Sequence, residues 1–329
     1  VEHGITEEVF GVDLVRWMVE LAAGEDPTRS LGDLTPKGCA MEFRLYAEDP
    51  GKEYQPSSGL VTCAEFPEGI RCDKWIETGT EVSAYYDPLL AKLIVTGSDR
   101  AETISKSLEA LEQTTIAGFE TNRMLMMQVL ENSTFREGHV FTGLLNTMEY
   151  TANTIEVLVP GTQTTVQDFP GRTGYWGVGV PPCGPMDDLN FRLANRLVGN
   201  SDEAAALEMT MSGGSYRFNC DTTIAITGGD LPVMLNETMA PLFEAFEIKA
   251  GAVLNIGAFY KGQRAYLAIR GGLDIPAYMG SRSTFILGRF GGHGGRALFT
   301  GDILHIGHDD LEEWPLSSLP EAARPVISN

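Results

Sequence analysis

The sequence predicts an α+β chain in two parts, a mixed helix–strand unit over 1–150 and a mainly β unit over 151–313. Apolar residues in the first half recur at helical spacing and alternate with strand patterns. After Thr151, short β-patterned runs follow one another between glycine-rich turns, as in a sandwich or barrel. A length of 329 residues also exceeds what one core commonly serves.

In order, Val9, Val12, Val15, Val19 and Ala22 predict one helix from Thr6, with Glu7 and Glu8 in its first turn and Gly24 as its stop. MEFRLY (41–46) alternates, with Met41, Phe43 and Leu45 on one face and Glu42, Arg44 and Tyr46 on the other. KLIVT (92–96) is a second strand, and Asp99 with Glu102 opens a helix to about Gln113. The Met-rich segment 121–132 predicts a core-packing helix. Beyond the short boundary MEYTANT (148–154), strands are predicted at 154–159, 215–219, 222–227, 252–257, 264–270 and 302–307. One helix interrupts them, 187–200, capped by Asp187 and stopped near Gly199. Residues 314–329, rich in Pro and small side chains, are expected to form a disordered tail.

The net charge of −21 has no basic cluster within it, which argues against a nucleic-acid partner. Five scattered cysteines without a CxxC pair signal neither a zinc ribbon nor a disulfide framework, so no metal is assigned and a reducing, cytoplasmic setting is expected. No apolar run is long enough to span a bilayer, and no membrane partner is expected.

Taken alone, Glu2 reads as a solvated charge and Arg44 as half of a surface ion pair with Glu42. GRFGGHGGR (288–296) lacks the ending of a phosphate-binding P-loop and reads as a flexible loop, with His293 a weak candidate for substrate contact. His305, His308, Asp309 and Asp310 read as solvated residues rather than metal ligands. Ser281 and Ser283 lack the elbow of a serine nucleophile.

Four blocks, VEHGITEEVFGVDLV (1–15), MEFRLYAEDP (41–50), YQPSSGLVT (54–62) and AYYDPLLAKLIVTGSDR (84–100), resemble in that order the C-terminal subdomain of biotin carboxylases. The resemblance implies that Glu2 is the base that activates bicarbonate and that Arg44 stabilises the enolate-like oxygen of biotin, although Phe43 replaces the family's usual small residue. The family's phosphate-covering glycine loop, ATP-gripping lysine and magnesium ligands lie upstream of such a VEH motif and are absent here. The chain is therefore expected to be the middle of a longer protein, and inactive alone.

The blocks 157–200, ALEMTMSGG (206–214), ITGGDLP (226–232) and RAYLAIRGGLDIPAYMGSRSTF (264–285) resemble the KipA-like, biotin-dependent carboxyltransferase family. This implies a mainly β lobe with a cyclophilin-like barrel, its partner lobe missing. Polar residues among the glycines and prolines of these blocks are the candidates for contact with biotin or acceptor: Gln167, Asp168, Arg172, Asp187, Asp230 and Arg282. Equally open are a helix-capping role for Asp187 and a turn-holding pair of Asp168 with Arg172.

A biotin carboxylase end joined within a few residues to a KipA-like lobe is similar to the arrangement in the urea carboxylase family. That implies an ATP- and biotin-dependent ligase that carboxylates biotin with bicarbonate, then transfers the carboxyl group to urea to give allophanate. ATP and Mg2+ would bind mainly outside these residues, biotin would ride on a carrier domain absent here, and the first half would support self-association. A KipA-like regulatory or metabolite-binding protein, or a carboxylase of guanidine or another urea-like amide, remains the alternative.

Overall fold

The structure, a computed structural model, describes residues 3–27, 32, 34–307 and 314–327. The chain divides into two compact units, Val1–Tyr150 and Thr151–Asn329.

The first unit is built on an antiparallel sheet of β1 (Cys39–Tyr46), β2 (Arg71–Lys74) and β3 (Leu89–Gly97), in the order β1-β3-β2. Met41, Phe43 and Leu45 alternate into a core shared with Leu93 and Val95, as period two requires. Helices over Arg100–Glu112 and Arg123–Glu131 seal that face through Ile104, Leu111 and Leu130. The predicted cap is present: the Asp99 carboxylate accepts the Glu102 N–H at 2.9 Å.

The single helix predicted from Thr6 is two, α1 (Gly4–Phe10) and α2 (Leu14–Ala22). Gly11, at φ 67°, closes α1 in a conformation that favours glycine, and Asp13 recaps the chain by accepting the Arg16 N–H at 2.7 Å. The apolar period of α2 therefore faces outward, with Met18 69% and Val19 65% exposed. The shorter α1 is docked by Glu7, whose Oε2 lies 2.7 Å from Arg71 Nη1 and whose Oε1 accepts the Leu14 N–H at 2.8 Å.

Burial works against ionisation of Glu7, but the Arg71 and Leu14 hydrogen bonds outweigh it and hold the carboxyl below its ordinary range. A depressed pKa stabilises fully above the unfolded value of about 4.3, and this contribution is lost as pH falls through the folded one. The protection factor of the Leu14 amide, its exchange rate relative to the intrinsic rate at each pH, is thus expected to hold from about pH 7 to 5 and to fall as the pH drops below the unfolded carboxyl value. The variant Glu7→Gln should lack that step; identical profiles for the two proteins would contradict the account.

The second unit contains two antiparallel sheets. One joins β4 (Thr154–Val159), β7 (Ser215–Phe218), β9 (Val233–Leu235), β10 (Thr238–Met239), β12 (Val253–Ile256) and β14 (Ile303–His305), in the order β10-β9-β12-β7-β4-β14. The other joins β5 (Gln163–Gln167), β6 (Ala206–Thr210), β8 (Thr222–Asp230), β11 (Ala245–Ile248) and β13 (Lys261–Ile269), in the order β5-β6-β13-β8-β11. One core cluster draws on both sheets, from Ile155, Tyr216 and Leu254 to Leu207, Ile226 and Leu267. On the other face of the five-stranded sheet, Ala206, Ala225, Ala245 and Ala268 pack with Phe191, Ala194 and Leu197 of α3 (Asp188–Leu197). The alanines let the helix approach closely, and full burial of Phe191 is worth about 2–3 kcal/mol.

The α+β class stands. Among the described residues both sheets are open ladders, so the barrel implied by resemblance does not close. Strands β5 and β6 escaped the sequence reading because helix and core bury both faces of their sheet, which removes the polar–apolar alternation. Residues 314–327, whose composition suggests disorder, run along the unit: Ala245 N–H donates to Ser317 O and Leu319 N–H to Phe243 O, both at 2.8 Å.

Candidate functional site

In the first unit, β1 carries Arg44 on the face away from the core, directly opposite Lys92 of β3. Lys92 is itself flanked in register by Asp73 of β2, so a carboxylate already stands beside the lysine in this row. Arg44 Nε donates to Tyr46 Oη at 2.7 Å, with the guanidinium 5.4 Å from that ring's centroid. Buried Asn122 brackets the position: its Nδ2 donates to Arg44 O at 3.0 Å and its Oδ1 accepts the Tyr46 N–H at 2.9 Å. Sequence reading assigned Asn122 no such role. Glu2 lies outside the described residues. Just after it, Gly4 approaches the same strand so closely that a Cβ there would sit 2.8 Å from Glu42 Oε2.

In the second unit, a cavity of about 630 Å3 opens where α3 begins over β8 and β13, lined by Asp187, Asn190, Gly228, Gly229, Arg264 and Ile327 among others. Its volume is ordinary for a small-molecule site, about 300–1,000 Å3. Asp187 caps α3, accepting the Asn190 N–H at 3.1 Å and Asn190 Nδ2 at 2.6 Å, while Thr227 Oγ1 donates to Asn190 O. Gly228 lies at φ 107° beside a register shift in β8, and a Cβ there would strike Arg264 O at 2.5 Å. Bare backbone therefore forms part of the wall.

Behind this wall, Glu208 of β6 pairs in register with Tyr266 of β13. Glu208 Oε2 accepts the Met186 N–H at 2.6 Å and Tyr266 Oη at 2.9 Å, and Oε1 faces Arg264 Nε at 3.7 Å. Burial raises the Glu208 pKa, with the Met186 and Tyr266 hydrogen bonds partly offsetting it. The Tyr266 hydroxyl is raised chiefly by burial, and then by Glu208 beside it. None of Asn190, Glu208, Arg264 and Tyr266 was singled out from sequence.

Four of the six predicted carboxyltransferase residues lie elsewhere, at or beside a hub of loops. Asp168 Oδ1 accepts Ser281 Oγ at 2.5 Å and Ser283 Oγ at 2.6 Å, and its Oδ2 accepts the Arg282 N–H at 2.7 Å. Arg172, fully buried, donates to Tyr278 O at 2.9 Å, Ser281 O at 3.3 Å and Ser283 O at 3.0 Å, and lies 5.0 Å from the Phe290 ring centroid. Asp168 and Arg172 thus each clamp the 278–283 loop instead of pairing with one another. Exposed Arg282 donates Nε to Ile275 O, and buried Gln167 donates to Thr165 Oγ1 at 3.0 Å. Asp187 lines the cavity, and exposed Asp230 follows the two glycines that line it.

His293 Nε2 lies 3.5 Å from Asp302, which also holds Arg296 at 2.7 and 2.9 Å. Burial opposes ionisation of Asp302, yet these partners hold its carboxyl well below the usual range. The glycine loop is thereby pinned by charge. His305 is half-buried on β14, and His308, Asp309 and Asp310 lie outside the described residues. Among the described residues no group of three or more His, Cys, Asp and Glu is arranged to hold a metal ion. No described helix is long and apolar enough to cross a membrane.

A sheet-based unit is thus followed by a β unit with a polar-lined cavity. Residues 42–147 match the family described as the biotin carboxylase C-terminal domain, and residues 178–328 the carboxyltransferase domain, subdomain A and B. The whole chain is 46% identical to the urea amidolyase of Saccharomyces cerevisiae, covering 18% of that protein, and 99% of it is 38% identical to a putative urea carboxylase of Emericella nidulans, covering 27% of that protein. It superposes on the Kluyveromyces lactis urea carboxylase with a TM-score of 0.92 at 44% identity, over all of this chain and 30% of that one. The chain belongs to the urea amidolyase and urea carboxylase family, and it spans less than a third of the length of these relatives.

Proposed function

We propose that the chain is the segment of a cytoplasmic, biotin-dependent urea carboxylase in which the end of the biotin carboxylase meets the start of the carboxyltransferase. The observation that carries this reading is the succession of the two units in one chain, matched along its whole length to urea amidolyase. When bound, biotin supplies a mobile carrier for a carboxyl group that ATP and bicarbonate provide. In the first unit Glu2 acts as the base toward bicarbonate, and Arg44 presents a fixed positive charge to an oxygen on which negative charge grows. Bicarbonate, a biotin carrier domain and a second copy bound through this unit are its partners. In the second unit the cavity beside Asp187 holds the acceptor, urea, and the hub around Arg172 keeps the surrounding loops in place. The cavity's size fits a ureido ring or a small amide.

The full-length protein is expected to cleave ATP in response to urea, to lose this response when avidin sequesters biotin, and to produce allophanate. The 329-residue chain alone should show no such cleavage. ATP turnover by the full-length protein that ignores both urea and avidin would sink the proposal.

A further inference from the structure

Among the described residues β1 is the edge strand of its sheet, so the polar groups of its outer rim need partners from elsewhere. At Arg44 and Tyr46 one residue supplies them. The Asn122 N–H donates to Tyr46 O at 3.2 Å, its Oδ1 accepts the Tyr46 N–H at 2.9 Å, and its Nδ2 donates to Arg44 O at 3.0 Å. These bonds fall where the ladder to β3 slips, with Leu45 opposite Ala91 but Tyr46 opposite Leu89. Asn122 also forgoes the bond its place in the chain offers. It is the N-cap of the helix Arg123–Glu131, where an asparagine side chain ordinarily accepts a first-turn N–H, yet it makes no capping bond. At 3% exposure it does not turn to water instead, and both atoms of its amide are spent on β1.

We propose that Asn122 is a positioning residue for the carboxylation of biotin: by gripping the backbone on both sides of Leu45, it sets the aim of the Arg44 guanidinium. Arg44 and Tyr46, two apart on the strand, share a face, and Arg44 Nε–H donates to Tyr46 Oη at 2.7 Å. A small rotation of the backbone between them parts donor from acceptor and turns the guanidinium away. The inference rests on the carboxylase reading and adds to it a residue that acts only through Arg44.

Two readouts test it, one of geometry and one of turnover. In a 1H–15N spectrum of the 329-residue chain the Arg44 Nε–H signal is assigned by its loss in Arg44→Lys. That signal is expected to shift or broaden in Asn122→Ala and Asn122→Asp, as it does in Tyr46→Phe. Asn122→Asp is the milder change: it keeps the size and the acceptor for Tyr46 N–H, and replaces the donor to Arg44 O with a carboxylate oxygen. A thermal melt shows which variants fold. In the full-length protein, kcat for biotin-dependent ATP cleavage should fall about tenfold in a folded variant, with the ATP KM unchanged. Added to Arg44→Ala, the same substitution should cost under about twofold, because the residue it acts through is gone. Equal fold-losses with and without Arg44, full turnover in a folded variant, or an unmoved Nε–H signal would overturn the proposal. An Nε–H signal that moves with Asn122 in a full-length protein lacking biotin-dependent ATP cleavage would instead overturn the carboxylase reading and keep Asn122 as the residue that aims Arg44.

Discussion

Replacing Arg172 with methionine is expected to destabilise the second unit by about 1–3 kcal/mol, the cost of stripping the donor from a buried hydrogen-bond hub. Arg172 is fully buried and donates to the carbonyls of Tyr278, Ser281 and Ser283, which otherwise have a whole loop to satisfy. Methionine matches the length of the stem but offers no donor; Tyr278 O and Ser281 O keep the N–H groups of Ser281 and Tyr278, so Ser283 O is the carbonyl stripped of its donor, at about 1–3 kcal/mol. Gly291, on the far side, makes the fit close: a Cβ there would lie 2.6 Å from Arg172 Nη2, and its φ of 69° favours glycine. For a unit of this size the melting temperature should fall by roughly 5 °C. Arg172→Lys should recover little, because one ammonium cannot reproduce the planar fork that reaches three carbonyls. Asp230→Asn, at an exposed strand end, is the control and should stay within about 0.5 kcal/mol of the parent. A fall of under about 2 °C for the methionine variant would show that the loop holds without its clamp.

That clamp also shows how sequence and structure divide the information. Arg172 and Asp168 were visible as charged residues among glycines and prolines, and their types suited either a substrate contact or a turn. Only the fold shows that their hydrogen bonds end on the 278–283 loop. The strands most easily read were those with one wet face: Met41, Phe43 and Leu45 alternate with polar residues, and the sheet follows that pattern. Strand β6 reads ALEMT, and four of its five residues are buried, so no alternation set Glu208 apart. A usable signal was nonetheless present. Glu208 lies on the helix-side face with Ala206, and Tyr266 and Arg264, two apart on β13, share the facing row. Polar groups in a row otherwise made of alanines mark where a helix packs over a site. The split between α1 and α2 was legible too, in Gly11 followed by Asp13, but the apolar period running across it concealed the break.

The largest effect on activity is expected at Arg44. In the full-length protein Arg44→Ala should lower biotin-dependent ATP cleavage by about 10²–10³-fold, the usual consequence of deleting a preorganised donor from a site of developing negative charge. Preorganisation is visible in one contact that holds the side chain, Arg44 Nε to Tyr46 Oη at 2.7 Å, and two Asn122 hydrogen bonds that hold the backbone carrying it. Arg44→Lys should restore little of the loss, since an ammonium keeps the charge but not the donor geometry. Tyr46→Phe keeps the charge and the ring while deleting the acceptor of the Nε–H, so it should lower turnover by about tenfold or less. The core face of β1 is untouched by all three changes, and melting of the first unit should shift little, which separates loss of chemistry from loss of fold. Lys92, opposite Arg44 on one side and Asp73 on the other, supplies a further arm: a lysine that also serves the anion should give a raised bicarbonate KM in Lys92→Met, whereas one that serves only Asp73 would leave it unchanged. Full activity in Arg44→Ala would remove this strand from the chemistry and leave Arg44 as a packing residue beside Tyr46.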